Sequence, residues 1–351
     1  MSEFNLIEKY FTRPSLYADL GVGDDAALIR VGAGMQLAIS SDMLVAGTHF
    51  FHDAAPYDIG WKSLAVNVSD MAAMGAQAKW ATLAIALPQI LPSPFKGEGQ
   101  DGGAQHVTPT SPLPLKEGAC IDETWLAEFS RGFFACAGAF NVDLIGGDTT
   151  RGPLNISVTI MGEVSVGAAL RRDGAKVGDD IWVSGELGNA ALGLAHLQGK
   201  IKLQNELETC LSALHIPMPR AALGLALRGI ATSCIDISDG LLADLGHVLK
   251  ASNCGATIEL EKIPCRDFLK NNLQNPQFQE YLLAGGDEYE LCFTALKSKR
   301  DEINALSKQL KLPISCIGST RVASSLNTGG LQVDYQNKTI SLLKQGFDHF
   351  A

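Results

Sequence analysis

Residues 21–42 read GVGDDAALIRVGAGMQLAISSD, and whether a helix or a hairpin follows the first glycines decides the fold. Gly21, Gly23 and Ala26 match the G-x-G-x-x-A spacing of a dinucleotide-binding turn, with Asp42 about where a ribose-binding acid is expected. Such a turn needs a helix behind it, so that the helix N-terminus meets the pyrophosphate. Here two apolar runs flank Gly32-Ala33-Gly34, which is a hairpin signal. Asp24 and Asp25 also occupy the turn and would repel a pyrophosphate unless metal neutralised them. The stretch reads as an acidic turn followed by a hairpin, not as the opening of a doubly wound sheet.

Working outward, residues 56–75 carry a helical apolar stripe of Trp61, Leu64, Ala65, Val68 and Ala72, with Asp58 as N-cap and Gly75 as the stop. Asn67 and Asp70 are three apart and share a face of that helix. Residues 78–88 read as a buried strand. A helical pattern over 122–140 leads into the strand NVDLIGG, expected to end at Asp148, and a further strand covers 155–164. In the second half, DIWVSGE is a strand and 188–199 a helix, with Gly185-Glu186-Leu187-Gly188 as the turn between them. TSCIDIS then runs directly into the helix DGLLADLGHVLKAS, where Ser238 or Asp239 is the expected cap. ATIEL, YELCFTA and SCIG complete the strands. Strands and helices alternate, but many neighbours are hairpin-connected. The expectation is an α/β chain of α+β character with mixed sheets. It divides into two domains, 1–165 and 166–351, because 351 residues exceed one typical core.

One segment breaks the pattern. Residues 89–118 are dense in Pro, Gly, Ser and Lys and contain an echo, SPFKGEG and SPLPLKEG. They offer no core positions to offset ordering entropy, so they read as a disordered surface insertion.

Bulk properties exclude several classes. Hydrophobic content of 46% and charged content of 19% are those of an ordinary globular protein. A net charge of −10 argues against a nucleic-acid partner. No apolar run approaches the ~18 residues of a membrane span, and the N-terminal residues lack the pattern of a signal peptide. The eight cysteines are scattered without a C-x-x-C pair, as expected of reduced thiols in a cytoplasmic protein.

Five acidic motifs carry the chemistry: Gly23-Asp24-Asp25, Ser40-Ser41-Asp42, Asn67-Val68-Ser69-Asp70, Gly146-Gly147-Asp148-Thr149 and Asp236-Ile237-Ser238-Asp239-Gly240. So many carboxylates converge only if cations neutralise them. Hard oxygen donors suit Mg²⁺, which completes its shell with water and phosphate oxygens. The motifs point to a phosphate-handling enzyme with several magnesium ions. No Walker A loop is present: Gly193 to Gly199-Lys200 has one residue too many, and Ile201 replaces the Ser/Thr. His49 is a phosphate contact or a structural histidine, and Arg172 a turn arginine or a bidentate phosphate clamp.

Taken in order, these motifs resemble the thiamine-monophosphate kinase family, part of the aminoimidazole-ribotide-synthetase-like superfamily. The likeness rests on GVGDDAAL at 21–28, AISSDMLVAGTHF at 38–50, KSLAVNVSDMAAMGA at 62–76, LIGGDTTRGPL at 144–154, CIDISDGL at 234–241 and GFDHF at 346–350. It implies a two-domain fold that dimerises through its N-terminal sheets, with ATP and thiamine monophosphate as substrates. It implies Mg²⁺ held by Asp25, Ser40, Ser41, Asp42, Asp70, Asp148, Asp236 and Asp239, with Asp25, Asp42, Asp70, Asp148 and Asp239 central to catalysis. Gly147, Asp148, Arg172 and Ser238 would contact ATP. His49, one of Asp287 and Glu288, and Phe347 would contact thiamine monophosphate. The family usually reads Gly-Gly-Glu-Asp before Tyr-Glu-Leu, whereas this chain has Gly285-Gly286-Asp287-Glu288, so which acid reaches the substrate stays open. The reaction implied is direct in-line transfer from ATP to thiamine monophosphate. Another superfamily ATPase, or a non-enzymatic binder of thiamine phosphate or divalent cations, is the alternative.

Overall fold

The structure is a computed structural model that describes residues 3–88, 90–91, 121–323, 330–340 and 346. The chain divides into two compact units. One comprises Met1–Val31, Ile39–Asn67 and Ala78–Met161, and the other Gly32–Ala38, Val68–Gln77 and Gly162–Ala351.

The first unit is built on a four-stranded sheet in the order Met35–Val45, Asn155–Ser165, Gln77–Leu87, Asp143–Arg151. Gln77–Leu87 and Asp143–Arg151 run parallel, with Trp80 opposite Asp143 and Ala84 opposite Asp148. Strand alternation sends Leu83, Ile85 and Leu87 into the core. The helix Glu123–Phe140 adds Leu126, Phe129 and Phe133, all buried. Asp122 caps that helix by accepting the Trp125 N–H at 2.8 Å, and Asn141 ends it in the left-handed conformation. It meets the helix Pro56–Ala73 backbone to backbone. A Cβ on Gly132 would lie 1.9 Å from the Tyr57 carbonyl oxygen, and one on Gly60 would lie 2.1 Å from that of Phe129.

The second unit holds a seven-stranded sheet in the order Ala231–Asp236, Leu291–Ala295, Asp180–Ser184, Ile314–Val322, Cys254–Glu259, Leu331–Tyr335, Lys338–Thr339. All pairs are antiparallel except Cys254–Glu259 with Leu331–Tyr335. Both faces are covered. Ile181, Val183 and Ile235 join one core with Leu241, Leu245 and Val248 of the helix Leu241–Ala251. The alternate residues Trp182, Cys234 and Phe293 join a second core with Ile303 of the helix Arg300–Leu310. Mixed sheets with helices are the α/β architecture expected from the sequence.

Several local expectations need correction. The turn at Gly32–Gly34 forms, with Met35 N–H donating to Gly32 O at 3.1 Å and φ of 75° at Gly34. Its flanking runs do not pair as a hairpin. Leu28–Ile29 pairs back with Ala18–Leu20, and Met35–Val45 joins the larger sheet. The reason is the fastening of the turn: Glu163 accepts the Gly32 N–H at 2.8 Å and Val166 N–H donates to Gly34 O at 3.1 Å. Asp58 lies in the first turn of the helix Pro56–Ala73 rather than capping it, because Pro56 starts the helix. The strand at Asp143 runs past Asp148 to Arg151. The insertion lies outside the described residues except at Ile90–Leu91, which form a short strand parallel to Ile121–Asp122. Neither Ser238 nor Asp239 caps the helix Leu241–Ala251; Gly240 occupies that position without a side-chain bond.

Candidate functional site

The first unit carries two of the acidic motifs on strands. Along Met35–Val45 side chains alternate, so Ser40 and Asp42 share a face with buried Leu44, while Ser41 points to the other with exposed Ile39 and Met43. The Ser41 hydroxyl donates to Val158 O at 3.2 Å and lies 3.0 Å from the Thr159 hydroxyl. The Ser41 hydroxyl therefore stands on the opposite face of the strand from the Asp42 side chain. Gly147 has φ of 151°, and a Cβ there would fall 1.8 Å from Leu83 O, so glycine alone lets this strand approach its neighbour. Asp148, next to it, is exposed. Asp25 sits in an exposed turn, its N–H bonded at 2.9 Å to Asp24 Oδ1. Leu28–Ile29, not a helix, follows that turn, which removes the dinucleotide reading. His49 is half-buried, and its Nδ1 accepts the Val45 N–H at 3.0 Å, which sets the ring's orientation.

The second unit brings the remaining motifs together. Asp236 ends the strand Ala231–Asp236 and is 5% exposed. Ser69 Oγ donates to Asp236 Oδ2 at 2.7 Å. Burial first, and the neighbouring Asp70 carboxylate second, push the Asp236 carboxyl up to about 6, while Ser69 and the Arg172 guanidinium oppose the rise. The two adjacent arginines thus differ. Arg171 pairs with Asp173 through two bonds of 2.9 and 2.6 Å, whereas Arg172 acts on Asp236. Among the described residues no three His, Cys, Asp or Glu side chains close into a ready-made metal-binding group. Asp70 lies close enough to Asp236 for its charge to disfavour ionisation of the Asp236 carboxyl.

After Asp236 the chain turns through Ile237–Gly240 into a helix. Ser238 and Asp239 are half-buried there. Asp244 reaches back from the first helical turn to accept the N–H groups of Ser238, Asp239 and Gly240. Burial, and then Asp236, push its carboxyl up to about 7. The sequence reading missed Asp244; its signal was a polar residue on the apolar face of DGLLADLGHVL.

The Gly285-Gly286-Asp287-Glu288 segment packs on this loop. A Cβ on Gly286 would lie 2.5 Å from Ser238 O, and Asp287 N–H donates to that oxygen at 2.8 Å. The two acids then part. Glu288 turns its carboxyl onto the helix Asn189–Leu197, accepting the Ala190 N–H at 3.2 Å. The residue is partly exposed, yet desolvation of the carboxyl pushes it up to about 8. Asp287 has φ of 65° and accepts the Tyr289 hydroxyl at 3.1 Å. Glu290 is buried and bound by Arg220 and by Ser184 Oγ, which anchors the segment to the sheet. Phe347 lies outside the described residues; the preceding Gly346 sits against the loop, its notional Cβ 2.9 Å from Asp239 O.

Residues 23–164 match the family described as AIR synthase related protein, N-terminal domain, and residues 176–326 match the corresponding C-terminal domain. The chain is 40% identical over 354 residues to the thiamine-monophosphate kinase of Salmonella typhimurium, covering 99% of this chain and 98% of that protein. Among solved structures, the thiamine-monophosphate kinase from Stenotrophomonas maltophilia shares 41% identity at a TM-score of 0.76, over 94% of this chain and 95% of the other. AaThiL complexed with AMPPCP and TMP shares 26% identity at a TM-score of 0.70, over 91% and 89%.

Proposed function

The chain belongs to the thiamine-monophosphate kinases of the AIR synthase related family, and we propose how its acidic loops serve that chemistry. The enzyme transfers the γ-phosphoryl group of ATP to thiamine monophosphate, giving ADP and thiamine diphosphate. The observation that carries the residue-level reading is the Asp70–Asp236 pair. Its repulsion is of the kind a bound cation relieves, and its oxygen donors suit Mg²⁺. On this reading Asp70, Asp236 and Asp239 of the second unit would hold Mg²⁺. In the first unit Asp25, Ser40, Asp42 and Asp148 would do so, with Ser41 limited to its backbone carbonyl. Bound Mg²⁺ would offset the phosphate charge and the charge developing on the transferring group.

The chain's own groups do the rest. Arg172 offers a planar, permanently charged fork suited to a phosphate. Ser238 and Gly147 complete the nucleotide contacts. His49, oriented by the Val45 N–H, meets the acceptor. Of the two swapped acids we assign Asp287 to thiamine monophosphate, because the Glu288 carboxyl is desolvated against the start of the helix Asn189–Leu197. Phe347 is kept as the ring stacking on the cationic thiazolium, worth roughly 0.5–2 kcal/mol. The acceptor oxygen is already anionic, so no strong general base is needed. Transfer is direct, since no motif pairs a nucleophile with a base.

Exposure of Ile39 and Met43, 61% and 54%, on one face of their strand supports a homodimer through the first unit's sheet. The cysteines among the described residues are free thiols, which supports a cytoplasmic setting, and no described helix is long and apolar enough to cross a membrane.

The test uses γ-labelled ATP. Label should move to thiamine diphosphate and never to the protein, and Asp42→Asn, Asp148→Asn and Asp236→Asn should each abolish the transfer with the fold retained. A stoichiometrically labelled chain refutes direct transfer, and near-parental turnover in these variants at saturating Mg²⁺ refutes the assigned roles.

A further inference from the structure

Three consecutive N–H groups, those of Ser238, Asp239 and Gly240, converge on a single oxygen, Asp244 Oδ2, at 3.0, 3.1 and 3.1 Å. Asp244 is 3% exposed, so water does not compete for these bonds. The other side of the loop is fixed through its carbonyls. Tyr289 N–H donates to Ile237 O and Asp287 N–H to Ser238 O, both at 2.8 Å. Glycine makes this contact possible: a Cβ on Gly286 would lie 2.5 Å from Ser238 O.

Two consequences follow. A glycine-bearing turn before a helix ordinarily offers its amides to a phosphate. Here those amides are turned inward and satisfied by the chain's own carboxylate, so the loop has only its side chains, Ser238 and Asp239, to offer a ligand. The Ser238–Asp287 bond also ties this loop to the acid assigned above to the acceptor.

We propose that Asp244 is a positioning residue for phosphoryl transfer. By gathering three amides it fixes where the Ser238 and Asp239 side chains stand, and through the Ser238 carbonyl it fixes Asp287. The inference deepens the kinase reading and rests on it. Asp244 itself touches neither substrate nor cation.

Asp244→Asn, compared with the parent at pH 8.5 where the carboxyl is ionised, tests this, because it keeps the shape and one acceptor oxygen but removes the charge, and charge-assisted bonds are roughly twice as strong as neutral ones. Asp244→Ala removes the acceptor altogether. Three quantities are measured on each folded variant: amide hydrogen exchange over 237–240, binding of Mn²⁺ to the protein alone by electron paramagnetic resonance, and kcat with KM for both substrates. Exchange should rise in the Asn variant and further in the Ala variant. Mn²⁺ affinity should fall and both KM values rise by about three- to tenfold for Asn, within the ~10²-fold that ångström-scale misplacement can cost. Should the Ala variant not fold, the isosteric Asn variant decides alone. Parental exchange in the folded Asn variant overturns the proposal. So does faster exchange with parental Mn²⁺ affinity and KM values. A parent enzyme that makes no thiamine diphosphate would instead refute the kinase reading, while the exchange comparison still reports on Asp244.

Discussion

Glu288 shows how one carboxyl changes role with its surroundings. In sequence it is interchangeable with Asp287; in the fold it sits at the start of the helix Asn189–Leu197, against a backbone N–H. Burial pushes it up to about 8 from an ordinary 4.5. The folded protein therefore holds a proton between those pH values that the unfolded chain has released. Stability should fall as pH rises through that window and level off above about 8. Glu288→Gln keeps the neutral acceptor and removes the titration. Thermal melts from pH 6 to 9.5 should show a shallower decline for the variant than for the parent, and equal slopes would contradict this placement of the carboxyl. Asp236 differs: its carboxylate accepts the Ser69 hydroxyl at 2.7 Å and has a second acid, Asp70, as a charged neighbour.

At the scale of elements, much was legible in the sequence and the losses have physical causes. The helices Pro56–Ala73 and Glu123–Phe140 and the strand Gln77–Leu87 were readable because apolar periodicity over many residues is dictated by burial. The false hairpin at Gly32–Gly34 arose because local turn chemistry does not reveal Glu163, more than a hundred residues away, which fastens the turn elsewhere. The opposed faces of Ser41 and Asp42 were implicit in strand alternation, but the motif drew them together as a unit. Asp244 was missed because its one mark in the sequence is a polar residue on an apolar helix face, and an acid four residues after the loop it holds has no fixed spacing signature. The strand Ile90–Leu91, paired with Ile121–Asp122, moves the edge of the insertion inward. Replacing residues 92–117 by a short Gly-Ser linker should keep kcat within a few-fold, since loop closure depends only logarithmically on length. Extending the replacement to residues 90–91 should lower the melting temperature by removing that pairing. Loss of ATP binding in a folded 92–117 replacement would assign the insertion a role at the nucleotide.

For the whole molecule, a net charge of −10 must be reconciled with two phosphate-bearing substrates. Coulomb repulsion between them, and from the protein, makes cations the natural mediators. The exposed pair Ile39 and Met43 bears on assembly. Substituting both by aspartate should convert a dimer to a monomer in light scattering; an unchanged mass would place any interface elsewhere. The family match spans residues 23–164 and 176–326. The most direct measurement is ADP release at saturating ATP and Mg²⁺, with thiamine monophosphate, thiamine and formylglycinamidine ribonucleotide offered separately as acceptors. ADP should appear with thiamine monophosphate alone, matched mole for mole by thiamine diphosphate and abolished by Asp236→Asn. ADP release with formylglycinamidine ribonucleotide and none with thiamine monophosphate would contradict the account.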